Sequence, residues 1–312
     1  MERIISLLKG IWYFIVKLFS REKKVVEQST TTNSGDIKVY TNADNLDWQK
    51  IKLLKPKTHK RYISIYCIAD LSDGTVPILT REGEEIWKIS DKSLKRLVME
   101  GTGRLSDGRV VNVDKVVGGS WRYKVMGSNS PHGIGIRGKA LVPWGSVAHQ
   151  LKQLLSHDLF NREVIIPSMR GYSLPDGTEH SGRFRVHDTG GGLRECPYDK
   201  GIWRTGESKS KYGQFDLFIG GPETLYNSML GTWNSYRDVF VMPRDTKSSK
   251  GIQETLNLLM DAGLHVDGIV GNKTKASIGE FQKIVGLECS ETWDENTKLV
   301  AEKSLENWDE SI

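Results

Sequence analysis

The spacing of apolar residues changes near Lys250, and that change limits what the chain can fold into. Before it, short apolar runs are separated by turn residues: Tyr62–Ile68, Val76–Thr80, Glu85–Ile89, Val110–Val113, Val164–Ile166, Phe184–Val186, Phe215–Ile219 and Val239–Met242. Asp-Gly pairs at Asp73-Gly74, Asp107-Gly108 and Asp176-Gly177 are hairpin signals, and the 32 glycines supply many more turns. After it, Ile252, Leu256 and Leu259 fall at helical spacing, with Gly263 as a stop. A second helix carries Ala276, Phe281, Ile284 and Val285 and closes at Gly286; a third is expected from about Asp294 to Leu305. The expected fold class is multidomain: mainly β, with a small all-α three-helix domain at the C-terminus.

The segments divide accordingly. Residues 1–28 read as an N-terminal hydrophobic anchor or interfacial helix running into a Ser/Thr-rich linker, Glu27–Gly35. A β-rich accessory region follows at 36–98, a β-barrel at 99–243, a short linker at Arg244–Ser249, and the helical domain at 250–308. Ile4–Phe19 is mostly apolar, with Lys9 and Lys17 as its charged interruptions, and is shorter than the roughly 20 residues a bilayer span needs. No small-residue cleavage site follows it, so an uncleaved anchor or membrane contact through residues 4–19 is expected. Arg21, Lys23 and Lys24 come after the run, and the positive-inside rule alone would put the C-terminus in the cytoplasm.

Charge excludes less than it suggests. The net charge is +5, but the chain from Lys250 onward carries 6 Lys and no Arg against 12 acidic residues, leaving a basic body. Such a body suits a polyanionic partner or solubility alone. No basic stripe with interleaved aromatics occurs, so nucleic acid is not expected as a partner. Cys67, Cys196 and Cys289 are odd in number and far apart, which implies neither a disulfide framework nor a metal site. Histidines 132, 149, 157, 180, 187 and 265 form no HxxxH or HExxH pair, so no metal and no cofactor is implied.

Two stretches carry sharper patterns. In IQETLNLLMDAGLHVDGIVGNKTKASIGEFQKIVGL, a helix leads into Val266-Asp267-Gly268-Ile269-Val270-Gly271 with Thr274, and a second helix ends in Phe281-Gln282 and Gly286-Leu287. Asp267 can bond its own turn amides, and the glycines permit a tight backbone. This stretch resembles the common three-helix peptidoglycan-binding domain. The second pattern comprises EGTGRLSDGRVVN at Glu100–Asn112, EVIIPSMRGYSLPDGTEHSGRFRVHDTGGG at Glu163–Gly192, and FDLFIGG at Phe215–Gly221. It resembles the domain shared by MltA-type lytic transglycosylases and the three-aspartate proteins.

The resemblance implies a double-psi β-barrel that cleaves the β-1,4 MurNAc–GlcNAc bond of peptidoglycan without water, giving a 1,6-anhydro product. It implies Asp216 as general acid and base with Asp188 beside it. Thr189, Gly190, Gly191, Asp176, Trp144 and Trp203 are the expected substrate-binding residues. The partner is then the peptidoglycan glycan strand, and the location the cell envelope, membrane-anchored and periplasm-facing, or alternatively a phage virion. Two features depart from the family pattern. Where its first aspartate would follow an Ala-Val pair, this chain has Val147-Ala148 and then His149-Gln150, with Asp158 further on. Asp188 and Asp216 are also separated by an extra loop, Leu193–Gln214.

The chemistry is consistent on its own terms. A glycosidic leaving oxygen needs a carboxylic acid still protonated near neutral pH, and burial or a second carboxylate raises a pKa to that range. Asp216 lies between Phe215 and Leu217, so alternation turns it to the opposite face from both. The same site admits a non-catalytic wall-binding or wall-loosening protein. Asp188-Thr189-Gly190 also spells the aspartic-protease triplet, but that chemistry needs two such aspartates sharing a proton, and no second triplet occurs.

Overall fold

The computed structural model describes residues 46–156, 158–190, 193 and 214–308. Residues 4–19, the Glu27–Gly35 linker, Gly191, Cys196 and Trp203 therefore lie outside the described residues. Among the described residues no helix is long and apolar enough to cross a membrane.

Six strands close into a barrel: β1 (His59–Tyr66), β8 (Ser146–His149), β9 (Glu163–Ile165), β10 (Arg183–Thr189), β11 (Phe215–Phe218) and β12 (Ser235–Val241). Their spatial order is β1-β11-β8-β10-β9-β12. β1 pairs with β11 in parallel and β8 with β10 in parallel, whereas β11 and β8 run antiparallel. Parallel neighbours cannot be joined by a hairpin, so the chain must leave the barrel after β1 and return later. It uses that excursion to build a second sheet.

The excursion has its own core. β2 (Ala69–Asp70), β5 (Thr102–Arg104), β6 (Val110–Val117) and β7 (Ser120–Val125) form a four-stranded sheet, and β3 (Asp73–Leu79) pairs with β4 (Glu85–Ile89). Helix α1 (Asp91–Glu100) starts where the Ser90 side chain accepts from Ser93 N–H and stops at Gly101 in the left-handed region. Ile78, Ile89, Leu97 and Val111, all fully buried, pack together between these elements. Within 36–98, β1 belongs to the barrel, while β5, β6 and β7, which follow that region or overlap its end, form one sheet with β2 in the order β2-β5-β6-β7. Asp73-Gly74 is not a turn. It lies inside β3, where a Cβ on Gly74 would sit 2.6 Å from Ser90 backbone, and the chain reverses instead at Thr80–Glu84.

Contacts divide the described residues into two compact units, one built on those within 61–160 and 185–236 and the other on those within 161–184 and 237–308 with 46–60. The first also holds the short α2 (Leu151–Ser156) and α3 (Glu223–Trp233). The second holds α4 (Ser249–Met260), α5 (Asn272–Val285) and α6 (Glu295–Glu306). Two buried glutamines tie their connections. Gln253 Nε2 donates to Asp267 Oδ1 at 2.8 Å and to the Ile269 carbonyl, while Gln253 Oε1 accepts from Gly268 N–H. Gln282 does the same for the next connection through Ser290 Oγ, the Thr292 carbonyl and Thr297 Oγ1. Asp267 also accepts from Ile269 N–H, as a turn-forming aspartate should.

These helices are no appendage on a free linker. Ile165 of β9 and Phe240 and Met242 in and after β12 share one buried core with Leu256, Ile278, Phe281 and Val300. The stretch read as a linker is held at both ends: Asp245 accepts from Lys247 and Ser248 N–H, and Arg162 joins the Met242 carbonyl to Glu254.

One glycine ties the fold to the strand that carries Asp188. A Cβ on Gly135 would lie 2.3 Å from the His187 carbonyl oxygen, a backbone atom of β10 that cannot swing aside. Gly135→Ala should therefore cost about 1–3 kcal/mol of stability, the usual range for overpacking against a fixed neighbour. Urea denaturation of the variant measures this; an unchanged midpoint would show that β10 yields without cost.

Candidate active site

The ladder of the barrel places two distant aspartates on either side of one residue. Asp188 on β10 is opposite Ala148 on β8, and Ala148 is opposite Asp216 on β11, which is opposite Ser64 on β1. Laterally paired residues in a sheet share a face. The row Asp188, Ala148, Asp216, Ser64 is thus common to four strands, with Ala148 standing between the two aspartates in the ladder. Neighbouring positions point the other way: Ile63, Phe215, Leu217 and Val147 are fully buried, whereas Ser64, Asp216 and Asp188 stay partly open. The alternation read from Phe215-Asp216-Leu217 is present as expected.

Each carboxylate has its own hydroxyl, both supplied by β1 two residues apart. Ser64 Oγ donates to Asp216 Oδ1 at 2.7 Å, and Tyr66 OH donates to Asp188 Oδ2 at 3.0 Å. Asp188 Oδ1 also accepts from Thr189 N–H at 2.8 Å. Among the described residues no hydrogen bond joins the two carboxyls. Tyr66 further belongs to an apolar cluster with Ile68, Leu141, Ala148, Leu193 and Phe218, which includes the central residue of the row.

That setting shifts both acids upward. Burial pushes Asp216 up to about 7; Ser64's hydrogen bond opposes the rise, and the negative charges of Glu100 and Asp188 add to it. Burial likewise pushes Asp188 up to about 6 against the stabilising bonds from Thr189 N–H and Tyr66 OH. Tyr66 is held well above its ordinary value, by burial first and then by the charges of Asp188 and Asp216, so it remains a proton donor. Near neutral pH the arrangement thus holds one carboxyl close to half-protonated and one largely ionised. Burial also pushes the Cys67 thiol up to about 12, which leaves it protonated and inert as a nucleophile.

Glu100, Ser64 and Tyr66 were not singled out by sequence. Glu100 ends α1, and burial raises its own pKa while Arg96, four residues earlier, opposes the rise. Arg96 in turn pairs with Glu223 at the start of α3. The two hydroxyls had one faint signal, their i, i+2 spacing in a run of otherwise apolar residues.

The remaining candidates separate. Thr189 Oγ1 is buried beside Asp188 and makes no hydrogen bond among the described residues, which leaves it able to bind a ligand. Gly190 packs closely on Leu193, and a Cβ there would lie 2.6 Å from Leu193 Cγ. Trp144 is only 8% exposed and packs edge-on against Trp233, so it is a core residue and offers no open stacking face. Asp176 accepts from Thr178 N–H and Oγ1 within its own turn, which accounts for its side chain. Gly191 and Trp203 lie outside the described residues. Asp158 is exposed in the turn after α2, and Ala148 occupies the middle of the acidic row. His149, which follows Ala148, is fully buried and stacks on Phe215. Among the described residues no group of three or more His, Cys, Asp or Glu is arranged to hold a metal ion.

Comparison with known proteins gives the following. No family model matches the chain. Over 48 residues, 15% of its length, the chain is 50% identical to the autolytic lysozyme of Clostridium acetobutylicum, and it spans 15% of that curated relative. Among solved structures, it is similar to a membrane-bound lytic murein transglycosylase from Agrobacterium tumefaciens, at 12% identity over 60% of this chain and 74% of that one, with a TM-score of 0.33. MltA from Escherichia coli gives 11% identity over 59% and 71%, also with a TM-score of 0.33. A lytic transglycosylase of Burkholderia pseudomallei gives 13% over 58% and 71%, with a TM-score of 0.30. These are MltA-type lytic transglycosylases and their like, but at such TM-scores the likeness carries no weight beside the strand register itself.

The raised pKa values have a consequence for stability with a definite sign. Both acids titrate higher in the folded chain than in the unfolded one, where carboxylates titrate near 4. Their contribution to stability is therefore complete below about pH 4 and is lost as pH rises through about 6 and 7. Asp216→Asn should match the wild type in stability at pH 4 and exceed it at pH 8. Because the group is partly open to solvent, the gain should be about 1–2 kcal/mol rather than the full value of the shift. Urea denaturation at the two pH values checks this, and a pH-independent difference would show that Asp216 is not a buried acid.

Proposed function

We propose that this chain is a peptidoglycan-cleaving enzyme of the lytic transglycosylase type, with Asp216 as its general acid and base. The observation that carries the reading is the acidic row: two carboxyls on one face, kept apart by Ala148, with Asp216 raised to about 7 and Asp188 to about 6. The identity with an autolytic lysozyme over 48 residues supports peptidoglycan as the polymer. The motifs that resemble the MltA-type and three-aspartate domain support the reaction, and on that reading the barrel is of the double-psi kind.

In this mechanism protonated Asp216 gives its proton to the glycosidic oxygen as the C1–O bond of the N-acetylmuramic acid unit breaks. The anomeric centre gains positive charge, and ionised Asp188 is the nearby group that favours it. The Asp216 carboxylate then removes the proton from the sugar's own C6 hydroxyl, whose oxygen closes on C1. The acid is regenerated, no water is consumed, and a 1,6-anhydro ring results. Thr189 Oγ1 and the backbone at Gly190 are the substrate contacts proposed beside Asp188, with Gly191 and Trp203 as further candidates. The α4–α6 region is proposed to hold the glycan, and the protein to work in the cell envelope, with residues 4–19 as its membrane contact.

The geometry disfavours the aspartic-protease reading. That chemistry needs two carboxyls sharing one proton, whereas here each accepts from a separate hydroxyl. A non-catalytic wall-binding protein is the second reading, favoured by the exposed Asp158 and by Ala148 in the row.

Digestion of purified murein followed by mass spectrometry separates these. The proposed enzyme yields 1,6-anhydromuropeptides without new reducing ends; reducing ends would indicate a hydrolase, and intact murein a binding protein. Asp216→Asn should cut turnover by roughly 100- to 10,000-fold, the usual worth of general acid assistance, while binding to insoluble murein persists. Activity should fall as pH rises through about 7, where Asp216 loses its proton. Glu100→Gln removes a charge that raises Asp216, so the alkaline limb of kcat/KM should move to lower pH. A limb that stays in place would detach Glu100 from the acid.

A further inference from the structure

The hydrogen bonds around Ser64 fix more than the place of Asp216. Gln214, immediately before β11, donates from Nε2 to Ser64 Oγ at 2.8 Å. A serine hydroxyl has one proton and two lone pairs. With one lone pair taken by Gln214, the Ser64 proton is directed to Asp216 Oδ1, the acceptor at 2.7 Å. An oxygen that accepts this bond is the poorer site for the carboxyl's own proton. Asp216 Oδ2 has no hydrogen-bond partner among the described residues, so it is the oxygen left for a ligand. Gln214 is itself anchored: its carbonyl accepts from Nδ1 of the fully buried His149 at 2.7 Å, a bond that side-chain substitution leaves intact.

We propose that Gln214 is a positioning residue that acts through Ser64 to keep the acidic proton of Asp216 on Oδ2. The proposal rests on the reading of Asp216 as the acid, and it specifies which oxygen delivers the proton. Three elements present charge or titratable groups to Asp216 besides β11 itself: Asp188 on β10, Glu100 at the end of α1, and Tyr66 on β1. Tyr226 on α3 also senses its charge. All four remain in place in the variants below.

The test follows the Asp216 carboxyl carbon by NMR titration of the full chain, which needs no turnover. Gln214→Met keeps the bulk and removes the donor. It should raise the Asp216 pKa by about half a unit to one unit, because the freed Ser64 hydroxyl can turn away from the carboxylate it stabilised. Ser64→Ala should raise it at least as far. Adding Gln214→Met to Ser64→Ala should then change nothing more. Gln214→Glu, which exchanges the donor for acceptors, gives a second route: its shift should be larger with Ser64 present than in Ser64→Ala. Equal shifts in both backgrounds, or none in either, would overturn the proposal. In murein digestion the alkaline limb of kcat/KM should move upward with the NMR value. If the Ser64-dependent shift holds while no variant, nor the wild type, cleaves murein, the reaction assignment fails and the proton placement stands.

Discussion

The pairing of β8 with strands on both sides is the constraint on which the site depends. Ala148 is held opposite Asp188 by one ladder and opposite Asp216 by the other, although the two aspartates are far apart in sequence. On the β10 side the register shifts between Val186 and Asp188 to reach this pairing, and on the β11 side a one-residue slip would turn Asp216 to the opposite face, because side chains alternate with a period of two. The slip is resisted by the residues that alternate with the acids. Val147, Phe215, Leu217 and Ile63 are fully buried, so exposing any of them would forfeit apolar burial worth roughly 1.5–3 kcal/mol per side chain. The apolar face thus holds the register, and the register holds the acids.

The same strands set the electrostatics. Burial is the largest cause of the rise for both acids, and their other surroundings differ: Asp188 takes two stabilising bonds, from Tyr66 and its neighbour's amide, while Asp216 takes one and also faces the charges of Glu100 and Asp188. β1 therefore shapes both acids through alternate residues, although it is the barrel strand furthest from either in sequence.

Much of this was legible in the sequence where local pattern decides. Glu85–Ile89 matches β4, the Asp107-Gly108 and Asp176-Gly177 turns lie between the residues they were expected to join, and the three C-terminal helices begin and end close to their caps. The resemblance points to Asp216 and Asp188, local pattern agrees with it, and the ladder brings the two onto one row. What stayed hidden is non-local. Nothing near Ser64 or Tyr66 says that β1 lies beside β11, and nothing near Glu100 says that the end of α1 faces Asp216. Trp144 misled for the complementary reason: an aromatic residue reads alike in sequence whether it opens to a cleft or packs edge-on against Trp233. Asp73-Gly74 misled because a glycine required by close approach to Ser90 looks like one required by a turn.

The shared core of the C-terminal helices bears on how the gene tolerates change. Because Ile165, Phe240 and Met242 are covered by residues of α4, α5 and α6, these helices cannot be exchanged as a cassette in the way a tethered module can. A premature stop codon or a proteolytic nick within them would uncover apolar surface on the strands themselves. Such damage would therefore act on the folding of the strands and not on the helices alone.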